Sequence, residues 1–142
     1  MTVNADLAQI GYETIGAAIE VHRHLGPGLL EHIYEDCLSS ELEMRGIPYD
    51  RQVSVPVRYK GRDLGSRYRI DLLVANQLII EIKSVEIILD VHKAQLLSQL
   101  RLTGIGSGLL INFNVARLHE GVRRAVNSPG LTLTESFSRS AT

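Results

Sequence analysis

Residues 71–83 read Asp71-Leu-Leu-Val-Ala-Asn-Gln-Leu-Ile-Ile-Glu81-Ile-Lys83, two β-rich runs at 69–74 and 78–83 joined by a short connection. An apolar strand does not ordinarily carry an acid and a lysine two residues apart, because burying unpaired charge costs several kcal/mol. Side chains alternate along a strand, so Glu81 and Lys83 share a face. Facing residues of a hairpin keep a constant index sum. Asp71 therefore faces Glu81 only if the turn is centred on Asn76, through the connection Ala75-Asn76-Gln77. A two-residue Asn76-Gln77 turn would instead pair Asp71 with Ile82 and throw Glu81 to the other side. Asn tolerates the left-handed conformation that three-residue loops use, so the sequence predicts such a loop or a bulge. Two carboxylates and an ammonium converging there are what a divalent metal and an attacking water require. The competing expectation is surface charge on an exposed hairpin face.

Upstream, Gly26-Pro27-Gly28-Leu29-Leu30-Glu31-His32-Ile33-Tyr34 contains Gly28-x-x-Glu31-x-x-Tyr34, followed by Glu41-Leu42-Glu43-Met44-Arg45-Gly46. Together with Asp71-x9-Glu81-x-Lys83, this resembles the GxxExxY family of the PD-(D/E)XK nuclease superfamily. The resemblance spans about residues 15–113. It includes Val21-His22-Arg23, Tyr59-Lys60-Gly61, His92-Lys93-Ala94-Gln95-Leu96-Leu97, Leu102-Thr103-Gly104 and Gly108-Leu109-Leu110-Ile111-Asn112-Phe113. The chain departs from it at Gln99, where the family commonly has Tyr. The resemblance implies a single-domain, restriction-endonuclease-like α/β sandwich, a central mixed β-sheet flanked by helices.

Apolar spacing over residues 6–24 predicts a first helix, broken by Gly26-Pro27-Gly28. A second helix is expected over 29–45, with Leu30, Ile33, Tyr34, Cys37, Leu38 and Leu42 inward and Gly46 as its cap. Val53, Val55 and Val57 alternate with polar residues and Pro56, as in a half-exposed edge strand. A third helix is expected over 91–103, closed by Gly104. The almost wholly apolar run 108–113 fits a strand buried on both faces. Residues 116–126 are expected to form a short strand and helix. The Ser- and Thr-rich 128–142 reads as a mobile tail after one domain, 1–127.

At 142 residues the chain is long enough to bury a core without covalent staples. Its single Cys37 excludes an intramolecular disulfide and fits a cytoplasmic setting. With no charged-then-apolar leader and no long apolar run, neither secretion nor membrane spanning is expected. A formal charge of −1 argues against indiscriminate nucleic-acid binding. Yet Arg51, Arg58, Lys60, Arg62, Arg67 and Arg69 face only Asp63 in the same stretch. That run either lines a phosphate track or merely solubilises exposed strands.

Asp71 and Glu81 are the expected metal ligands, hard oxygens suited to Mg²⁺ or Mn²⁺. The resemblance implies that the Ile82 carbonyl and Glu31 add to the ligand set. Lys83 is expected to serve the attacking water and the charge developing on phosphorus. Tyr34, one helical turn on, is placed to orient Glu31. His92, Gln95 and Gln99 line one face of the third helix, opposite Leu96, Leu97 and Leu100. Gln95 is the expected holder of Lys83 or a phosphate, with His92 in a similar role. His22 and His24 suit the first helix's C-terminal dipole rather than a metal. The leading expectation is thus a nuclease hydrolysing DNA or RNA, conceivably as a homodimer. The alternative is a weakly active or inactive nuclease-like module that binds nucleic acid or a protein partner.

Overall fold

The structure, a computed structural model, describes residues 3–127, with side chains from Asp6 onward. The expected tail at 128–142 lies outside the described residues. Helix α1 (Val3–Leu25) ends at the Gly26-Pro27-Gly28 segment, and α2 follows (Glu31–Met44). Strands β1 (Tyr49–Tyr59), β2 (Arg62–Val74) and β3 (Leu78–Lys83) form a meander. Helix α3 (Asp90–Thr103) then crosses over to β4 (Ser107–Asn112). A 3₁₀ turn (Leu118–Gly121) leads into β5 (Val122–Val126), so the expected strand and helix occur in reverse order.

The five strands lie in sequence order in one sheet. All neighbours run antiparallel except β3 and β4, which are parallel because α3 carries the chain back between them. Leu78, Ile80, Ile82, Leu109 and Ile111 pack on one face against Ile15, Ala18 and Val21 of α1 and Leu38 and Leu42 of α2. Ile70, Ile79 and Leu110 pack on the other against Leu96, Leu97 and Leu100 of α3. Helices on both faces explain why β3 and β4 are buried at nearly every position, polar residues included. Each buried Leu or Ile contributes about 1.5–3 kcal/mol relative to exposure.

Local signals set the boundaries. Gly104 closes α3 in the left-handed conformation, φ 76°, and Gly46 follows α2 at φ 73°. β1 is an edge strand whose register shifts between Pro56 and Arg58, where proline has no N–H to offer the ladder. One expectation needs correcting. Leu30 is 67% exposed, because α2 starts only at Glu31 and Leu30 remains extended before it. No helix among the described residues is long and apolar enough to cross a membrane.

Candidate active site

The β2–β3 hairpin turns through Ala75 and Asn76, both left-handed at φ 52° and 58°. The Gln77 N–H donates to the Val74 carbonyl across 3.0 Å. The ladder then pairs Val74 with Leu78, Leu73 with Ile79 and Leu72 with Ile80. The connection is therefore Ala75-Asn76-Gln77, and continuing the register sets Asp71 opposite Glu81. Regular pairing ends at this point. The Ile82 N–H donates to Asp71 Oδ2 at 2.8 Å instead of to a β2 carbonyl. The N–H and C=O of one strand residue point to the same edge, so the Ile82 carbonyl is directed toward this opening as well.

Strand β2 also changes face here. Ile70 packs toward α3, whereas Leu72 packs toward α1 and α2. Opposite Asp71 on β1 sits Gln52, a non-glycine residue at φ 52° within a strand. Such backbone costs on the order of 1–3 kcal/mol and persists only where the surroundings enforce it. The enforcing contacts come from α2. Gln52 Nε2 donates to Glu35 Oε1 at 2.7 Å, and Arg51 Nε donates to Glu35 Oε2 at 3.0 Å. Arg51 also pairs with Asp36. Glu35 is buried and sits one turn after Glu31 on α2. The sequence reading passed over it, although the i, i+4 spacing of Glu31 and Glu35 on one helix face was a usable signal.

Glu81 is 8% exposed and anchored at both oxygens. Gln99 Nε2 donates to Oε1 at 2.7 Å, and Lys83 Nζ lies 3.3 Å from Oε2. Gln99 is 2% exposed, buried with Leu96, Leu97 and Leu100 rather than on a face opposite them. The spacing was the available sign: at 3.6 residues per turn Gln99 lies only about 60° around the helix from Leu96, beside the buried arc. Gln95 lies one turn earlier and accepts the Tyr68 hydroxyl on its backbone carbonyl, 3.4 Å away. His92 turns back to the helix start, where Nδ1 accepts the Leu89 N–H at 3.0 Å.

Glu31 Oε2 accepts the Ser84 N–H at 3.3 Å, which brings the start of α2 to the end of β3. Ser84 Oγ donates to the Leu29 carbonyl at 2.6 Å. Tyr34 acts on the loop before α2 rather than on Glu31. Its hydroxyl donates to the Gly26 carbonyl at 2.6 Å and accepts the Leu29 N–H at 3.1 Å, while its ring stacks on Phe113 at 4.4 Å. Gly28 at φ 101° gives the loop its shape. Beyond Lys83, Asn112 clamps Val85, accepting its N–H at 3.0 Å and donating to its carbonyl at 2.9 Å. His22 Nε2 pairs with the Val115 carbonyl and His24 with Glu20, away from these groups.

The electrostatics follow from this crowding. Asp71 is pushed up to about 7, first by burial and then by the Glu81 carboxylate. The Ile82 N–H opposes the rise, while Glu35 and Glu31 add to it. Gln99 Oε1 is buried with no donor among the described residues. Acceptors therefore outnumber donors around Asp71 and Glu81, a set of hard oxygens that fits a Mg²⁺-like cation. Among the described residues, no three His, Cys, Asp or Glu side chains are already drawn together as a closed metal cage.

No curated protein and no solved structure matches the chain. A family comparison matches residues 8–125, from α1 through β5, to the PD-(D/E)XK nuclease superfamily. The match takes in nearly all of the sheet, most of α1, all of α2 and α3, and the β2–β3 opening with its two acids and lysine. The chain belongs to the PD-(D/E)XK nuclease superfamily.

Proposed function

We propose that this chain is a Mg²⁺- or Mn²⁺-dependent nuclease of the GxxExxY group, hydrolysing phosphodiester bonds of nucleic acid. The observation that carries the reading is the meeting of Asp71, Glu81 and Lys83 where β2 leaves β3. Asp71, Glu81 and the Ile82 carbonyl hold the metal, with Glu31 completing the shell from α2. A bound divalent ion would supply Lewis acidity and offset the negative charge that develops on the phosphoryl oxygens. Lys83 orients the attacking water and stabilises that charge from the protein side. Gln99 fixes the Glu81 carboxylate, and Gln95 supports Lys83 or a phosphate from the preceding turn of α3. A homodimer covering both strands, in the cytoplasm, belongs to the same proposal.

Lys83→Ala tests it. Cleavage of a panel of DNA and RNA substrates with Mg²⁺ or Mn²⁺ is expected to disappear while the circular dichroism spectrum stays the same. Unchanged cleavage by this variant removes the assignment. A binding module with little turnover is the second reading, favoured by the bonds from Gln99 and Lys83 that already satisfy Glu81. In that case nucleic-acid or protein binding survives a chelator and no cleavage is found with any metal.

A further inference from the structure

β2 pairs with β3 only from Leu72 to Val74, but it runs on with β1 as far as Arg62. At about 3.3 Å per residue, residues 52–59 of β1 carry the two-stranded ribbon roughly 25 Å beyond the three-strand region, its inner part packed on α3 through Val53, Val55 and Ile70. Its tip is a tight turn with Lys60 at φ 53° and Gly61 at φ 79°. Along it Arg58, Lys60, Arg62, Arg67 and Arg69 are all exposed. The ribbon's only acid there, Asp63, accepts the Gly65 N–H at 2.9 Å and lies 3.6 Å from Arg67. This stands out in a chain whose net charge is −1. Tyr68 and Ile70 face α3, so Arg67 and Arg69 share the opposite face, on the line that leads to Asp71.

We propose that this ribbon is a nucleic-acid arm that holds the phosphate backbone of duplex DNA and delivers it to the Asp71–Glu81 opening. The inference rests on the nuclease reading above and adds the substrate class. Charge complementarity selects a polyanion. A two-stranded ribbon fits the roughly 12 Å wide major groove of B-DNA, and its outer part is long enough to follow a portion of one helical turn. The deep, narrow major groove of A-form RNA excludes it. Single strands are held by stacking successive bases on several aromatic faces, and along the ribbon only the Tyr59 ring is exposed, at 63%. Lys60 Nζ covers Tyr59 at 5.4 Å from the ring centre, and Tyr68 is tied to Gln95.

The test measures duplex DNA binding by fluorescence anisotropy with the full chain, in chelator, over a range of salt. The wild type is compared with Arg62→Ala, Arg67→Ala and Arg69→Ala combined, and with the matching Lys replacements. The Ala variant is expected to bind at least about tenfold more weakly, with its salt slope reduced by about three. The Lys variant restores most of the affinity and slope. Wild-type affinity and slope in the Ala variant overturn the proposal. So does binding of single-stranded DNA or duplex RNA as tight as that of duplex DNA, or a shift in oligomeric state that marks the ribbon as a subunit contact. Turnover of bis(p-nitrophenyl) phosphate by the wild type, a diester too small to reach the ribbon, reports separately on the catalytic reading. Ribbon-dependent DNA binding without that turnover keeps the arm and removes the nuclease assignment.

Discussion

Replacing Asp71 with Asn removes one of the two facing carboxylates while keeping an oxygen for the Ile82 N–H. In the metal-free protein Asp71 is pushed up to about 7, against about 3.9 for an unperturbed Asp. The folded state then holds the proton more tightly than the unfolded chain. The stability this confers is complete below about pH 4 and is lost as pH rises through about 7. The shift sets a ceiling of about 4 kcal/mol, and solvent reaching the partly open site reduces it to about 2–4 kcal/mol. For a domain of this size that corresponds to a Tm change on the order of 10 °C. In chelator, thermal unfolding of wild type and Asp71→Asn should coincide at about pH 4 and below, diverge as pH rises, and be fully separated by about pH 8, with the variant more stable. Mn²⁺ or Mg²⁺ at about ten times its Kd should then return roughly 1.4 kcal/mol to the wild type and nothing to the variant. Parallel curves for the two proteins between pH 5 and 8 would refute the crowding of charge at Asp71. A metal response in Asp71→Asn equal to that of the wild type would refute its place in the metal shell.

Gln99→Leu removes a buried donor to a charged acceptor and is expected to cost about 1.5–3 kcal/mol by urea unfolding. Cleavage should fall with it, since Glu81 loses its orientation; full activity would show that Lys83 alone positions the carboxylate. Ala75→Gly relieves a left-handed alanine worth about 1–2 kcal/mol, offset by about 0.5–1 kcal/mol of unfolded-state entropy. Unfolding should show stability unchanged or raised, and a clear loss would contradict the turn. Gly121→Ala would set a Cβ 2.0 Å from the Asn112 carbonyl oxygen. Backbone must move there, so a loss of about 1–3 kcal/mol or more is expected. Cleavage should weaken as well, because Asn112 holds the segment after Lys83.

Much of the site was legible wherever the relevant physics is local. Helix spacing and the glycines at 46 and 104 located α2 and α3 because capping depends on backbone conformation at single residues. Pro56 marked β1 as an edge strand for the same kind of reason: a missing donor is a property of one residue. The Gly28-x-x-Glu31-x-x-Tyr34 signature was visible too, but not the division of labour within it. Tyr34 holds the preceding loop through Gly26 and Leu29, while Glu31 reaches across to Ser84.

The sequence by itself determined that Asp71 and Glu81 can face each other across one connection only, Ala75-Asn76-Gln77. Strand alternation has a period of two, and a connection centred on Asn76 leaves only one parity. It could not determine what surrounds them. The Gln99 bond to Glu81 joins residues 18 apart on different layers, and the Arg51 bond to Glu35 joins residues 16 apart. The left-handed backbone of Gln52 is held by Glu35 across the α2–β1 junction, and no propensity at Gln52 foretells it. These contacts exist only once helices and sheet have packed, and it is their burial that crowds the carboxylates and raises Asp71. Local geometry placed the acids, and tertiary burial made Asp71 hold its proton more tightly.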